Sequence, residues 1–238
     1  MYLVGDSTVA DYTLYNDYNS KRYPITGWGQ VFQSFMKSDS LHKVSNIIQG
    51  DSVKVDDRAR GGRSTRTFFE EGRWAEVYRL LKPKDVVLIQ FGHNDAAENK
   101  PERYVNIQGY KEYLRLFVNQ AREKGAVPVL ITPVNRNYPW EQGRLSNVHG
   151  DYPQAVRDVA QELQVYLVDL TQLSIDFFTS KGQDYVTNNY FMNLPGGVYE
   201  AYPDGQNDNT HFQPEGAKEV AHLVFSGLKS LEKTPKAK

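Results

Sequence analysis

Short apolar runs rich in β-branched residues alternate along the chain with longer amphipathic stretches. The short runs have the length and composition of strands, and they lie at residues 2–4, 52–55, 85–91, 126–131 and 165–170. The longer stretches repeat apolar residues every three or four positions, which predicts helices at residues 29–37, 74–81, 104–124, 151–163 and 214–231. The last helix opens with Pro214, a residue suited to a first helical turn. The pattern therefore predicts strands that are separated by helices.

Strands that alternate with helices predict parallel pairing, because a parallel neighbour needs a crossover connection. Residues 86–91 and 126–131 are apolar almost throughout, which is typical of strands that are covered on both faces. The predicted fold is α/β, with three layers (α/β/α) and a flavodoxin-like, doubly wound parallel sheet of five strands. We expect one domain over residues 1–232 and a flexible C-terminal tail at residues 233–238, which contains Lys and Pro.

The composition narrows the class of protein. Of 238 residues, 28 are Lys or Arg and 29 are Asp or Glu, so the formal net charge is -1. A nucleic-acid-binding protein normally has a basic excess, and no apolar run approaches the ~20 residues of a membrane span. We therefore expect neither nucleic acid nor membrane as a partner. The chain has no cysteine, which excludes disulfides, thiol catalysis and cysteine-ligated metals, and its histidines show no metal-ligand spacing.

Candidate chemistry lies where the strands end, because ligands of open α/β sheets bind at the carboxyl ends of the strands. Ser7 follows the first predicted strand, at a strand-to-helix corner with backbone N–H groups nearby. A serine hydroxyl needs a general base to become a nucleophile, and His211 supplies one just before the last helix. Asp208 precedes His211 by three residues, and in a tight turn its carboxylate reaches one ring nitrogen. Asp204 is a weaker rival for that position.

Two further loops offer hydrogen-bond donors for a developing oxyanion. Gly62 follows the second predicted strand and has an unhindered backbone N–H, while Asn94 follows the third and has a side-chain amide. With the N–H of Ser7 they make three donors, which is the environment that stabilises a tetrahedral intermediate. Each residue taken alone is more often a turn or cap residue, so the hypothesis depends on their combination.

These residues lie in four sequence blocks that resemble, in order, those of the SGNH (GDSL-type) hydrolases. The blocks are Val4-Gly5-Asp6-Ser7, Gly62, Gly92-His93-Asn94-Asp95 and Asp208-Asn209-Thr210-His211. Longer motifs resemble the rhamnogalacturonan acetylesterases, which are carbohydrate esterases of plant pectin. They are Gly5-Asp6-Ser7-Thr8-Val9-Ala10, Gly27-Trp28-Gly29, Gly62-Arg63-Ser64-Thr65, Phe91-Gly92-His93-Asn94-Asp95 and Thr210-His211-Phe212. Four ordered blocks are specific where one tripeptide is not.

The resemblance implies a serine esterase that uses neither a metal nor another cofactor. It implies that Ser7 is the nucleophile, that His211 is the base and then the acid, and that Asp208 orients His211. It also implies that Ser7, Gly62 and Asn94 bind the oxyanion. The expected substrate is an acetylated polysaccharide or oligosaccharide, which is deacetylated through an acetyl-enzyme. A pectin-degrading enzyme of this kind is expected to be secreted or periplasmic after removal of a signal peptide, and to be a monomer.

Two features of the sequence suggest where a sugar binds. Arginines cluster near Gly62, and they are either a solvated run neutralised by neighbouring acids or a rim that receives galacturonate carboxylates. The cluster comprises Arg58, Arg60, Arg63, Arg66 and Arg73. Residues 183–209 are rich in Tyr, Asn, Gly and Pro, and we expect a long irregular loop there. Its aromatic residues either pack the loop or, as we favour, face the substrate; they are Tyr185, Tyr190, Phe191, Tyr199 and Tyr202. The candidate substrate-binding residues are Arg63, His93 and Tyr199.

Other polar residues are expected to have structural roles. His93 and Asp95 adjoin Asn94 and would hold its loop, and Asp6 would support the loop of Ser7. The remaining histidines are expected on the surface or at the edge of the core; they are His42, His149 and His222.

Three alternative functions remain open on the sequence. An acetylesterase of xylan or of another acetylated glycan would have the same motifs. A lipase, lysophospholipase or thioesterase would share the triad but would need an apolar acyl groove, whereas the loops here are rich in Tyr, Asn, Asp and Arg. A non-catalytic, flavodoxin-like phosphate-binding domain would share the strand and helix pattern without needing Asp208 and His211.

Overall fold

A parallel sheet forms the centre of the fold, which the computed structural model describes for residues 1–231. The strands are β1 (Tyr2–Gly5), β2 (Asp56–Asp57), β3 (Val86–Gln90), β4 (Val127–Ile131), β5 (Trp140–Glu141), β6 (Arg144–Leu145), β7 (Tyr166–Val168), β8 (Phe191–Leu194) and β9 (Gln206–Phe212). Five of them form the central sheet in the order β2-β1-β3-β4-β7, and all neighbours are parallel. The strand order reverses between β1 and β3, which confirms the predicted doubly wound fold.

The central strands are buried on both faces, as their continuous apolar sequences predict. All five residues of β3 are buried. Val86 and Leu88 belong to the core on one face of the sheet, and Val87 and Ile89 belong to the core on the other face. This alternation follows from the two-residue period of a strand, so each face of β3 packs against its own layer of helices.

Helices cover both faces of the sheet. The helices are α1 (Tyr18–Lys21), α2 (Trp28–Phe32), α3 (Ser38–Leu41), α4 (Thr65–Glu70), α5 (Arg73–Leu80), α6 (Ile107–Glu123), α7 (Tyr152–Glu162), α8 (Leu170–Lys181), α9 (Gln183–Asn189) and α10 (Pro214–Ser230), with short 3₁₀ turns at Tyr12–Leu14, Gln33–Phe35 and His42–Val44. Helices α2, α8 and α10 contribute to one core, and α4, α5, α6 and α7 contribute to the other. None of the helices described for residues 1–231 has the length and apolar character needed to cross a bilayer.

The second strand lies later in the chain than predicted. The apolar run at residues 52–55 is not a strand; β2 is the two-residue segment Asp56–Asp57, at the edge of the sheet. Its position is fixed by β1, because the N–H groups of Asp56 and Arg58 donate to the carbonyls of Met1 and Leu3. The N–H of Arg60 likewise donates to the Gly5 carbonyl at 3.0 Å, so the chain follows β1 to its end and delivers residues 61 and 62 beside Ser7.

The segment at residues 183–209 is ordered, and the prediction of a long irregular loop is wrong. It contains helix α9, all of β8 and the first part of β9, and these two strands pair antiparallel. Tyr190 and Phe191, which we expected to face the substrate, are buried in the core at 2% and 0% exposure. The tail predicted at residues 233–238 lies outside the described residues.

Candidate active site

The loop that carries Ser7 is a tight turn held by the neighbouring aspartate. Asp6 is fully buried, and its Oδ1 accepts hydrogen bonds from the backbone N–H and the hydroxyl of Thr8 at 2.9 and 2.8 Å. Its carbonyl accepts from the N–H groups of Val9 and Ala10, which starts a helical turn directly after Ser7. Ser7 is 8% exposed and lines a surface cavity.

The motif Gly27-Trp28-Gly29 fixes the other side of this loop. The N–H groups of Trp28 and Gly29 donate to the carbonyls of Thr8 and Val9, both at 2.9 Å. A Cβ atom on Gly27 would lie 2.2 Å from the Ala10 carbonyl oxygen, so only glycine permits this close approach of the two backbones. The amino end of α2 and the Ser7 loop are therefore joined as one rigid unit.

A buried chain of polar side chains runs beneath Ser7. Trp28 Nε1 donates to Gln90 Oε1 at 2.9 Å, and Gln90 Nε2 donates to the Thr8 hydroxyl at 2.7 Å. That hydroxyl donates to Asp6, whose Oδ2 lies 3.2 Å from Nδ1 of His93. This chain satisfies the polar groups under the loop and ties β1 to β3 at the point where the strand order reverses. The expected structural roles of Asp6 and His93 agree with these contacts.

Asp6 and His93, the last two side chains of this hydrogen-bonded series, have shifted pKa values. Burial lowers the pKa of His93, although the Asp6 carboxylate opposes that effect. Burial also opposes ionisation of Asp6, but the charge that His93 carries when it is protonated, its hydrogen bond and the two bonds from Thr8 outweigh that effect, so the pKa of Asp6 is lowered. The Asp6 carboxylate accepts from Nδ1 of His93, and Nε2 of His93 is buried without a hydrogen-bond partner in the described chain.

His211 and Asp208 form a short contact across a bulge in β9. Met192 pairs with Asp208, whereas Phe191 pairs with Phe212, so three residues of β9 bulge out of the ladder. The predicted tight turn is thus a bulged strand, and the bulge folds His211 back onto Asp208. Nδ1 of His211 lies 2.6 Å from Oδ2 of Asp208.

The other oxygen of Asp208 is also held. Its Oδ1 accepts from the backbone N–H groups of Thr210 at 2.7 Å and of His211 at 3.1 Å. Partial burial would raise the pKa of Asp208, but the hydrogen bonds and the charge of His211 outweigh that effect and lower it. The carboxylate is therefore ionised at neutral pH and leaves the Nε2 side of His211 free to face a substrate.

Ser7, Gly62, Asn94 and His211 line the same cavity, which has a volume of about 520 Å³. Gly62 has a φ of +81°, a left-handed conformation that favours glycine. Asn94 is 7% exposed and one of its amide hydrogens is donated to the Arg63 carbonyl at 2.9 Å, which leaves the second hydrogen for a ligand. In the described chain, no hydrogen bond joins Ser7 Oγ to His211, although both residues line this cavity.

Of the three predicted substrate-binding residues, His93 lines this cavity and the other two do not. The Arg63 side chain does not line it; instead Arg63 Nη2 lies 3.0 Å from Glu71, and Nη1 donates to the Gly61 carbonyl. Tyr199 also lies outside it, where its backbone bridges to Tyr202 and its ring packs 6.0 Å from Tyr23.

The arginine cluster matches the solvated interpretation better than a carboxylate-binding rim. Four of its five members are ion-paired with acids near them in sequence: Arg58 with Asp56, Arg66 with Glu70, and Arg63 and Arg73 with Glu71. The fifth, Arg60, lies over the Tyr15 ring at 4.3 Å. The cations of the cavity are different residues, namely Lys100, Arg103 and Arg136, and sequence reasoning did not select them.

His149 is buried at 3% exposure and lines the cavity, so of its two expected positions the surface is excluded and the edge of the core remains. Its ring packs edge-on against His93 at 4.5 Å, and its Nε2 donates to the Val134 carbonyl at 3.0 Å. Burial lowers its pKa well below the usual value, so the ring is neutral.

Asp95 is also buried, and its Oδ1 accepts from the N–H and hydroxyl of Thr65, which holds the Asn94 loop against α4. Within residues 1–231 no group of three or more acidic and histidine side chains is arranged to hold a metal ion.

Comparisons with known proteins identify the family of the chain. The family model that describes GDSL-like lipases and acylhydrolases matches residues 3–218. The probable rhamnogalacturonan acetylesterase YesY of Bacillus subtilis is 41% identical over 97% of this chain and 93% of that protein. The rhamnogalacturonan acetylesterase RhgT of the same organism is 36% identical over 97% of this chain and 90% of that protein.

A solved structure shares the fold. The crystal structure of Bacillus subtilis YxiM superposes with a TM-score of 0.75 at 28% identity, and it covers 96% of this chain and 55% of that longer chain. The family match spans most of the sequence and includes every block that supplies the cavity. The chain therefore belongs to the GDSL-like lipase/acylhydrolase family.

Proposed function

We propose that this protein is a serine carbohydrate esterase that removes acetyl groups from a pectic polysaccharide such as rhamnogalacturonan. The relatives YesY and RhgT, which are named for that activity, match nearly the whole chain. The observation that carries the proposal is the 2.6 Å contact between His211 and Asp208 at a cavity that Ser7 also lines. An acyl transfer to serine requires this combination of nucleophile, base and orienting carboxylate.

The reaction begins with proton transfer from Ser7. The hydrogen bond from His211 Nδ1 to Asp208 keeps the proton on Nδ1, so Nε2 is the basic nitrogen. Ser7 Oγ forms a bond to the acetyl carbonyl carbon, its proton passes to His211 Nε2, and the carbonyl electrons move to oxygen. The N–H groups of Ser7 and Gly62 and the amide of Asn94 stabilise that oxyanion. Asp208 remains a carboxylate and stabilises the imidazolium.

The intermediate then expels the sugar. The carbon–oxygen bond to the sugar breaks, the sugar oxygen takes the proton from His211 Nε2, and the acetyl group stays on Ser7. A water molecule next gives a proton to His211 and adds to the acetyl carbon. Acetate leaves as Ser7 recovers that proton, so the enzyme returns to its first state. Acid–base catalysis of this kind contributes roughly 10²- to 10⁴-fold in rate.

A polysaccharide needs binding surface beyond the reacting sugar, and a second groove adjoins the cavity. Tyr138 borders both, and the second groove has a volume of about 900 Å³. Seven carboxamide side chains and Trp140 line it, and none of its described lining residues carries a charge; the carboxamides are Asn137, Gln183, Asn188, Asn193, Gln206, Asn207 and Asn209. Amides and aromatic rings suit the hydroxyls and apolar faces of sugars. This supports a glycan chain as the substrate.

The lining of the cavity disfavours a long acyl chain. Three cations and several polar side chains line the cavity together with Ser7. Apart from Tyr138, the apolar side chains that line it are small: Ala96, Ala97 and Val148. A lipase or thioesterase would instead bury the acyl chain in an apolar groove.

An extended pectic substrate also implies action outside the cytoplasm, in a secreted or periplasmic location, because the polymer is too large to enter a cell intact.

Acetate release from a matched panel tests the proposal. The panel is acetylated rhamnogalacturonan, acetylated xylan and 4-nitrophenyl esters of acetate and octanoate, each with the wild-type protein and Ser7→Ala. We expect acetate from rhamnogalacturonan at the highest kcat/KM, release from the aryl acetate but not the octanoate, and no activity in Ser7→Ala. A preference for xylan would overturn the choice of polymer, and comparable octanoate hydrolysis would overturn the carbohydrate assignment.

A further inference from the structure

The catalytic cavity carries three positive charges and no negative one. Lys100, Arg103 and Arg136 line it, and no Asp or Glu is among its described lining residues. This local excess contrasts with a formal net charge of -1 for the whole chain. A concave site lined by one sign of charge concentrates ligands of the opposite sign. The cavity is therefore built to receive an anion next to Ser7.

Arg103 lies directly beside the proposed oxyanion site. A Cβ atom on Gly62 would be 3.6 Å from Arg103 Nη1, so the guanidinium faces the backbone that supplies one oxyanion donor. Its ion pair in the described chain is a loose one, 3.9 Å to Glu102, whose side chain is 68% exposed. Its Nε is buried and makes no hydrogen bond among the described residues. Arg103 thus has unused donors and a charge that the protein barely neutralises.

Arg136 is held in place by neutral groups. Its Nη1 donates to the Tyr138 hydroxyl at 2.7 Å, and its Nη2 donates to the His93 carbonyl at 3.2 Å. Its Nε is buried without a partner, and no carboxylate in residues 1–231 lies within ion-pairing distance. Arg157, by comparison, makes an ion pair of 2.9 Å with Asp169. Arg136 is a fixed cation without a counter-ion.

We propose that Arg103 and Arg136 bind the carboxylate of a uronic acid unit in the substrate, so that the enzyme selects acetyl esters on or next to a negatively charged sugar. This inference rests on the proposed function and specifies the chemistry of its substrate. A guanidinium matches a planar carboxylate with two parallel hydrogen bonds. A partly buried cation that lacks a counter-ion also gains more from an arriving anion than one that is already paired. Neutral xylose units and acyl lipid chains offer no such group.

The position of Arg103 requires an experiment that separates two effects. A cation near the oxyanion also stabilises the transition state of neutral esters, so a loss of activity alone would not identify carboxylate binding. The test therefore compares two substrates that have the same sugar backbone and acetyl groups but differ at the carboxyl group. They are acetylated oligogalacturonides with free carboxylates and the same oligomers with methyl-esterified carboxylates.

The variants are Arg103→Gln and Arg136→Gln, with Arg115→Gln as the control. Arg115 lies on the surface of α6, where it is ion-paired with Glu112 and Glu162, so its replacement makes the same change in net charge away from the cavity. We expect the wild type to favour the free carboxylates by roughly ten- to a hundredfold in kcat/KM, which is the effect of a hydrogen bond to a charged group. Each cavity variant should reduce that preference about tenfold through KM, and Arg115→Gln should retain it.

A second measurement needs no variant. Deacetylated oligogalacturonides should inhibit wild-type hydrolysis of 4-nitrophenyl acetate competitively, and their methyl esters should not. Inhibition should weaken as salt is raised, because salt screens the attraction. Equal kcat/KM on the two acetylated substrates, or a preference that both cavity variants retain, would overturn the carboxylate site and leave the esterase assignment standing. Acetate release from xylan, but from neither acetylated rhamnogalacturonan nor the galacturonides, would instead overturn the proposed pectic substrate.

Discussion

Replacing Asp208 with asparagine keeps the shape of the side chain but changes its hydrogen bonds. In the wild type, Oδ1 accepts from the N–H groups of Thr210 and His211 at 2.7 and 3.1 Å, and Oδ2 accepts from His211 Nδ1 at 2.6 Å. The two backbone donors fix the oxygen of the new amide, so its NH₂ group faces His211 Nδ1. That nitrogen must then accept, which moves the ring proton to Nε2, the atom that should accept the proton of Ser7.

The expected loss follows from the wrong tautomer. The equivalent change in a serine-protease triad lowers kcat about 10⁴-fold, which corresponds to about 5.5 kcal/mol in the activation free energy. Asp208 makes the same kind of bond to its histidine, and the bond is short. We therefore expect kcat on 4-nitrophenyl acetate to fall about 10⁴-fold for Asp208→Asn, with little change in KM because Asp208 does not line the cavity.

The assay needs a blank and a matched control. Ser7→Ala provides the rate of any contaminating esterase. Asp204→Asn makes the same change in an exposed carboxylate four residues earlier, which sequence reasoning kept as a rival, and it should leave kcat within twofold of the wild type. If Asp208→Asn retained more than a tenth of wild-type kcat, or if Asp204→Asn lost as much activity, the orienting role of Asp208 would be refuted.

Three further changes test other parts of the site. Asn94→Ala should lower kcat roughly 10²- to 10³-fold on aryl acetate without unfolding the protein, because it removes one oxyanion donor; an unchanged kcat would exclude that donor. Burial raises the pKa of Asp95 to about 7, against about 3.9 in the unfolded chain. The free energy of unfolding of the wild type should therefore fall as the pH rises from about 4 to 7. Urea unfolding should show a fall of up to about 4 kcal/mol relative to Asp95→Asn. A difference between the two proteins that does not change with pH would contradict this. Trp140→Ala should lower kcat/KM on the polymer about five- to tenfold, because ~40–60 Å² of contact between the ring and the sugar is lost. Hydrolysis of the aryl acetate should not change. Equal losses on both substrates would argue against a glycan groove.

The sequence predicts the central fold well because buried parallel strands leave a strong local signal. Val86–Gln90 and Val127–Ile131 are apolar runs that match predicted strands within a residue or two at each end. Strand β2 was misplaced because its two residues are both aspartates, and only their hydrogen bonds to β1 make them a strand. Edge strands of this kind have no apolar pattern to detect.

The hairpin of β8 and β9 was missed for a related reason. Strand β9 is polar at nearly every position, and its partner lies a dozen residues earlier in the chain. The Gly and Pro that made residues 183–209 seem irregular all lie in the turn between the two strands, whereas the Asn residues lie in α9, β8 and β9 themselves. Long-range pairing of polar strands is set by tertiary contacts that no local pattern records.

The sequence predicted the site residues that lie in recognisable motifs. Ser7, Gly62, Asn94 and His211 come from four separate blocks, and the structure brings them to one cavity, although their catalytic roles remain predictions. The sequence left open whether the arginines near Gly62 form a charged rim or a solvated run, and the structure pairs four of the five with neighbouring acids. Arg103 and Arg136 stand alone in sequence and meet only after folding; the one available signal was that Arg136 lies in the loop after β4.

The most direct test of the central claim is covalent labelling of Ser7. The protein is incubated with a serine-directed fluorophosphonate, digested and analysed by mass spectrometry, in parallel with Ser7→Ala and His211→Ala. The account predicts one adduct per chain, on Ser7, which forms far more slowly in His211→Ala and is absent from Ser7→Ala. An unlabelled wild type, a label on another serine, or labelling of Ser7 that is equally fast without His211 would contradict it.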